Sequence, residues 1–161
     1  MRPGTAMIGA KNDGRAWYDP GQFYNLIQET DNMYGFNTTF NGSFDDAVTR
    51  VTEELSKEGF GVLTEIDVKA TLKKKLDIEK RPYKILGACN PGLANQALTA
   101  EPDIGLLLPC NVVVREEEDG SVTVAFMDPS AVLQLVEQPG IADLAGQVKE
   151  KLERVRDGLK G

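Results

Sequence analysis

Two apolar runs joined by a charged turn limit the folds open to this chain. Ile104 to Val114 is apolar in two short pieces interrupted at Pro109, and Val122, Val124 and Phe126 alternate with smaller or polar neighbours. The Glu116 to Gly120 link between them is too short for a crossover helix and reads as a hairpin turn. Strands connected that way pair antiparallel. Proline donates no ladder hydrogen bond, so Pro109 predicts a bulge, an edge or a bend within the fourth strand.

Tyr34 to Phe40 alternates large with small or polar residues, as a half-buried strand does. Ser43 is placed to cap a helix over residues 43–58, with Asp46 as the partner of a capping box. There Phe44, Ala47, Val48, Val51 and Leu55 share one face, and Gly59 stands at the expected C′ position. Phe60 to Ile66 reads as a second strand, Asp67 as the cap of a helix to about Leu76, and Tyr83 to Ala88 as a third strand. Asn90 and Pro91 open a short helix to about Thr99, which Glu101-Pro102-Asp103 ends. Residues 131–136 fit no single pattern. From about Ile141, the residues Leu144, Ala145, Val148, Leu152, Val155 and Leu159 form one helical stripe.

The order β-α-β-(α)-β-(α)-β-β-α places the chain in the α+β class, with an antiparallel sheet of about five strands. The helices over 43–58 and 140–158 should cover one sheet face. The other face is left for a ligand, the N-terminal segment or a second subunit. Residues 34–161 read as a single domain. Residues 1–33 read as an extension with the aromatics Trp17, Tyr18, Phe23 and Tyr24 and a helix-like stretch from Gln22 to Glu29. Three readings stay open for it: a leader packed on the domain, an arm that docks on a neighbouring subunit, or an added segment before a start at Met33.

With 161 residues, 41% of them hydrophobic and 27% charged, the chain is long enough for one packed core. No apolar run approaches the roughly 20 residues that span a bilayer, and the first ten residues lack a secretory signal's apolar stretch. A cytoplasmic protein without membrane contact is the expectation. The net charge of −7 argues against nucleic-acid binding. Charge is unevenly spread, because seven basic residues face two acidic ones between Lys69 and Lys84. That island keeps a small anionic ligand open.

The chain has no histidine and only two cysteines. Triads, Cys-His dyads and histidine metal sites are thereby excluded, and two thiols cannot supply the four ligands of a zinc or iron–sulfur centre. No metal site is expected, and no motif names a cofactor. Each cysteine ends or follows an apolar run and precedes an asparagine. Cys89 has a reactive reading, from a helix N-terminus and nearby Arg81 and Lys84, and a structural one as a small buried hydrophobe. Cys110, after Pro109 in an apolar context, should be inert. A Cys89–Cys110 disulfide requires Cα atoms within about 7 Å, and a reducing compartment disfavours it. Asn90 and Asn111 read as a cap and a turn residue, or as ligand contacts. Glu65, Asp67 and Asp128 are candidate acids with bland alternatives, and Lys73-Lys74-Lys75 is a solvated face or an anion collar.

Residues 34 to the end resemble a bacterial and archaeal family catalogued as the domain of unknown function number three hundred and two. The stretches that carry the likeness are Gly59 to Lys69, Tyr83 to Pro91 and Glu101 to Val112. The resemblance implies a β-α-β4-α arrangement like that of the TATA-binding-protein fold group, with no implication of DNA binding and no established activity. The leading expectation is a non-enzymatic, homo-oligomeric binding module, with a small ligand, its anionic character left open, near Arg81, Lys84, Cys89, Asn90, Cys110 and Asn111. The alternatives are a thiol-dependent redox or transferase activity at Cys89, and a purely structural homo-oligomer.

Overall fold

The computed structural model describes residues 33–161. The expectations for residues 1–32, including the four aromatics and the helix-like stretch, fall outside the described residues. Five strands form one sheet: β1 (Gly35–Phe40), β2 (Gly61–Asp67), β3 (Tyr83–Cys89), β4 (Cys110–Glu116) and β5 (Val122–Met127). Their order is β1-β5-β4-β3-β2, and every pairing is antiparallel. Helices α1 (Phe44–Lys57), α2 (Val68–Leu76), α3 (Pro91–Ala100), α4 (Pro129–Leu133) and α5 (Ile141–Gly158) complete an α+β fold. None of the helices is long and apolar enough to cross a membrane among the described residues.

The helix starts are set by side chains. Ser43 Oγ accepts the Asp46 N–H at 3.1 Å, Asp67 accepts the Ala70 N–H at 2.8 Å, and Asp128 accepts from Ser130 and Ala131. Each removes one orphan donor from a first turn. At the far end of α1, Gly59 takes φ +81°, a left-handed conformation that a side chain would strain. Glu58 there accepts from Arg154 Nε and Nη2 at 3.0 and 2.9 Å, which fastens α1 to α5 and holds the Glu58 carboxyl below its ordinary range.

Register decides which face of the sheet is buried. Leu86, Val112 and Phe126 are cross-strand partners, as are Val114 and Val124. These side chains meet Ala47, Val51 and Leu55 of α1 and Leu152 and Val155 of α5 in the main core. The two long helices therefore cover one face, as their apolar stripes require. The opposite face presents Tyr83, Ile85, Val113 and Ala125 half-buried and Ile66 exposed. A bulge between Val62 and Thr64 leaves Leu63 out of register. A smaller cluster of Ala97, Ile104, Leu133, Ile141 and Ala145 lies among α3, α4 and the start of α5.

One expectation is corrected. Ile104 to Leu107 belongs to no strand but to a 3-10 turn, Pro102–Leu107, and β4 begins only at Cys110. Glu101 caps that turn through the Asp103 N–H at 3.1 Å, and Ile104 is buried in the smaller cluster. An apolar run of this length suits a strand or a buried helical turn equally; the cap and Pro102 at the first position favour the turn. Pro109 has no N–H to give, so the β3–β4 ladder starts just after it.

Candidate functional site

The C-terminal end of β3 and the N-terminal end of β4 lie side by side, with Ala88 opposite Cys110. After Cys89 the chain turns at once into α3, because Asn90 Oδ1 accepts the Leu93 N–H at 3.2 Å and Pro91 occupies the first turn. The other end of the same amide, Nδ2, donates to the Glu58 carbonyl at 3.4 Å. Asn90 thus joins the start of α3 to the end of α1.

These connections frame a cavity of about 40 Å³. Cys89, Asn90 and Cys110 border it, α3 supplies Leu93, Ala94 and Ala97, and Phe60, Leu108, Leu133, Leu144 and Val148 close the rest. None of its lining residues is charged. It occupies the seam between the two apolar clusters: Phe60, Ala88 and Cys110 belong to the main core, Ala97 and Leu133 to the smaller one. Small side chains at Ala94 and Ala97 leave the space open.

Burial pushes the Cys89 thiol up from its ordinary value. A helix N-terminus with cations close by would move it the other way. Cys110 is pushed further, to about 11, first by burial and then by the nearby charge that Cys89 would carry. Both cysteines are free. They border one apolar cavity as protonated thiols.

The cationic residues lie elsewhere. Lys84 is five residues before Cys89 on β3, about 17 Å along an extended strand. Its ammonium sits 2.5 Å from Glu65, which raises its pKa. Arg81 faces Glu116 at 3.7 Å. Asn111 is exposed on β4 opposite Gly87 and does not line the cavity. Of the six candidate residues, Cys89, Asn90 and Cys110 line the cavity, Asn111 is next to Cys110 but outside the lining, and Arg81 and Lys84 belong to the other end of β3.

The candidate acids do not converge. Glu65 is paired with Lys84, Asp67 caps α2, and Asp128 caps α4 while accepting from Lys149 at 2.7 Å. Lys73 is held between Asp77 and Glu79, both at 2.6 Å. Among the described residues, no group of three or more His, Cys, Asp or Glu is placed to hold a metal. Sequence reasoning missed the apolar wall: Leu93, Ala94 and Ala97 share a helix face, but nothing in their spacing says that the space before them stays unfilled.

Residues 36–159 match the family described as Domain of unknown function DUF302. The chain belongs to this family. A solved DUF302 structure, an uncharacterized conserved protein from Bacillus stearothermophilus, is similar to it at 27% identity and a TM-score of 0.74. The likeness covers 79% of this chain and 98% of that one. No curated protein matches the chain. Membership in DUF302 assigns the fold and leaves the activity unassigned.

Proposed function

We propose that this DUF302 protein is a non-enzymatic binding module whose ligand places a small, uncharged apolar group in the cavity between Cys89 and Cys110. The observation that carries this reading is an unfilled cavity at the seam of two cores whose lining includes no charged residue. An anion would have to lose its hydration there with no cation to replace it. Asn90 supplies a polar atom at the border, and the thiols supply soft, polarisable contacts. At about 40 Å³ the cavity exceeds the space one water needs and falls short of the roughly 150 Å³ that holds benzene. It fits a group of a few heavy atoms, such as the end of a longer molecule whose remainder lies outside. A reducing compartment, the cytoplasm, is the natural setting for two free thiols.

The test is an amide NMR titration with isobutanol, with and without Ala94→Leu, a substitution that fills the cavity from the α3 side. Amides of Cys89, Leu93 and Ala94 should shift in the parent protein and stay still in the variant. Equal responses in the two proteins, or none in the parent at millimolar probe, would remove the reading.

A thiol-dependent activity is the second reading, favoured by the two thiols bordering one cavity. It requires a thiolate, and burial opposes that at both positions.

A further inference from the structure

The two ends of the sheet carry apolar surfaces of opposite charge. At the end where β3 begins, α2 buries none of its residues. Leu76 is 61% exposed and Ile78 42%, on either side of Asp77, whose left-handed backbone (φ 53°) ends the helix. Around them Lys69, Lys74, Lys75 and Lys80 make no salt bridge among the described residues, while Lys73 is taken up by Asp77 and Glu79. This is an apolar knob in a cationic collar.

At the end where β3 finishes, the 3-10 turn and the segment after α4 enclose an open groove of about 580 Å³. Ile104, Leu107 and Val136 line it together with Leu106 and Leu135, which are 86% and 76% exposed. The remaining walls carry Glu101, Asp103 and Glu137. The sequence holds no Lys or Arg between Lys84 and Arg115, or between Arg115 and Lys149. The groove's own lining thus carries three carboxylates and no cation. Exposed leucines in this setting mark an interaction surface.

Knob and groove are complementary in polarity and in charge, yet one molecule cannot join them. α2 departs from Asp67, opposite Lys84 near the start of β3, whereas the 3-10 turn leads into Cys110, opposite Ala88 near its finish, and the seven residues of β3 span about 20 Å. We propose that the acidic groove receives the Leu76–Ile78 knob of a second copy of this chain, in a head-to-tail contact. Such a contact uses different patches on its two partners, so it closes into a ring or runs on as a chain. With few apolar anchors and many exposed charges, the association is weak and sensitive to salt.

Sedimentation velocity of the full chain, over a concentration series at low and high salt, reads this directly. The parent protein should self-associate at low salt and dissociate at high salt. The double variants Lys74→Glu/Lys75→Glu and Asp103→Lys/Glu137→Lys should each lose self-association, and an equimolar mixture of the two should regain it. All four positions are exposed, and a far-UV spectrum and an unfolding midpoint like the parent's establish that each variant is folded. A parent that stays monomeric at every concentration and salt overturns the proposal and leaves the groove to a different partner. An oligomer that persists in either variant alone overturns it too, since its interface then lies elsewhere.

Discussion

Asn90 and Glu58, 32 residues apart, are joined by a hydrogen bond from the asparagine Nδ2 to the glutamate carbonyl oxygen at 3.4 Å. The same asparagine caps α3 through Oδ1, so one amide settles two helix ends beside the cavity. Gly59 makes room for it: a Cβ there would lie 3.1 Å from Nδ2. Asn90→Ala removes both bonds and should cost about 1–2 kcal/mol. Asn90→Asp keeps the cap but sets a carboxylate against the Glu58 carbonyl, and should fall between the parent and Asn90→Ala. Urea unfolding midpoints of the three proteins check that order.

Gly87 is buried in β3 because two side chains lie over it. A Cβ at this position would overlap Thr64 Oγ1 and come within 2.8 Å of Pro109 Cγ. Gly87→Ala should therefore destabilise by about 1–3 kcal/mol, the usual range for overpacking. Adding Thr64→Ala removes one of the two clashes and should recover part of the loss, because contacting residues couple. Equal and additive effects in a double-mutant cycle would exclude the crowding as the cause.

Local signals carried most of the architecture. Ser43, Asp67, Asn90 and Gly59 act at short range through caps and a left-handed turn, and the sequence spacing exposes each of them. The hairpin at Glu116–Gly120 sets antiparallel pairing by its length alone. What failed to read through was non-local. The Ile104 to Leu107 run buries only one residue against a distant cluster, and no local pattern distinguishes that turn from a strand. For the candidate site, the meeting of Cys89 with Cys110 follows from β3–β4 pairing and was accessible as a condition. The distance from Lys84 to Cys89 was hidden by closeness in sequence, since five residues in a strand span far more than five in a helix. The cavity itself depends on volumes left unfilled by α3, α4 and α5, which no one segment encodes.

The two thiols also give the protein an alkaline limit. The Cys110 pKa is raised in the folded state to about 11, so the native fold favours the neutral thiol. The stabilisation is whole below the unfolded-state pKa and is lost as pH rises through the folded one. Between about pH 9 and 11 the unfolded chain ionises while the fold resists, which should remove about 2–3 kcal/mol. Cys110→Ala has no thiol to ionise there. Plots of unfolding free energy against pH should fall more steeply for the parent than for the variant across that window, and parallel slopes would refute the assignment.

Thiol reactivity near neutral pH separates the binding reading from the enzymatic one. Raising a thiol from its ordinary value to the Cys110 value lowers the thiolate fraction by about two orders of magnitude, of which greater intrinsic nucleophilicity recovers about one. Its burial then blocks approach of the reagent. Cys89 is half-buried and raised by desolvation alone, so it should react first, yet more slowly than a thiol in an unstructured peptide. A disulfide reagent at pH 7.5, followed with Cys89→Ser and Cys110→Ser, should release one slow equivalent from the native protein. The second should appear only in denaturant. Fast reaction of Cys89, beyond that of the peptide thiol, would establish an activated thiolate and turn the cavity from a binding pocket into a reaction centre.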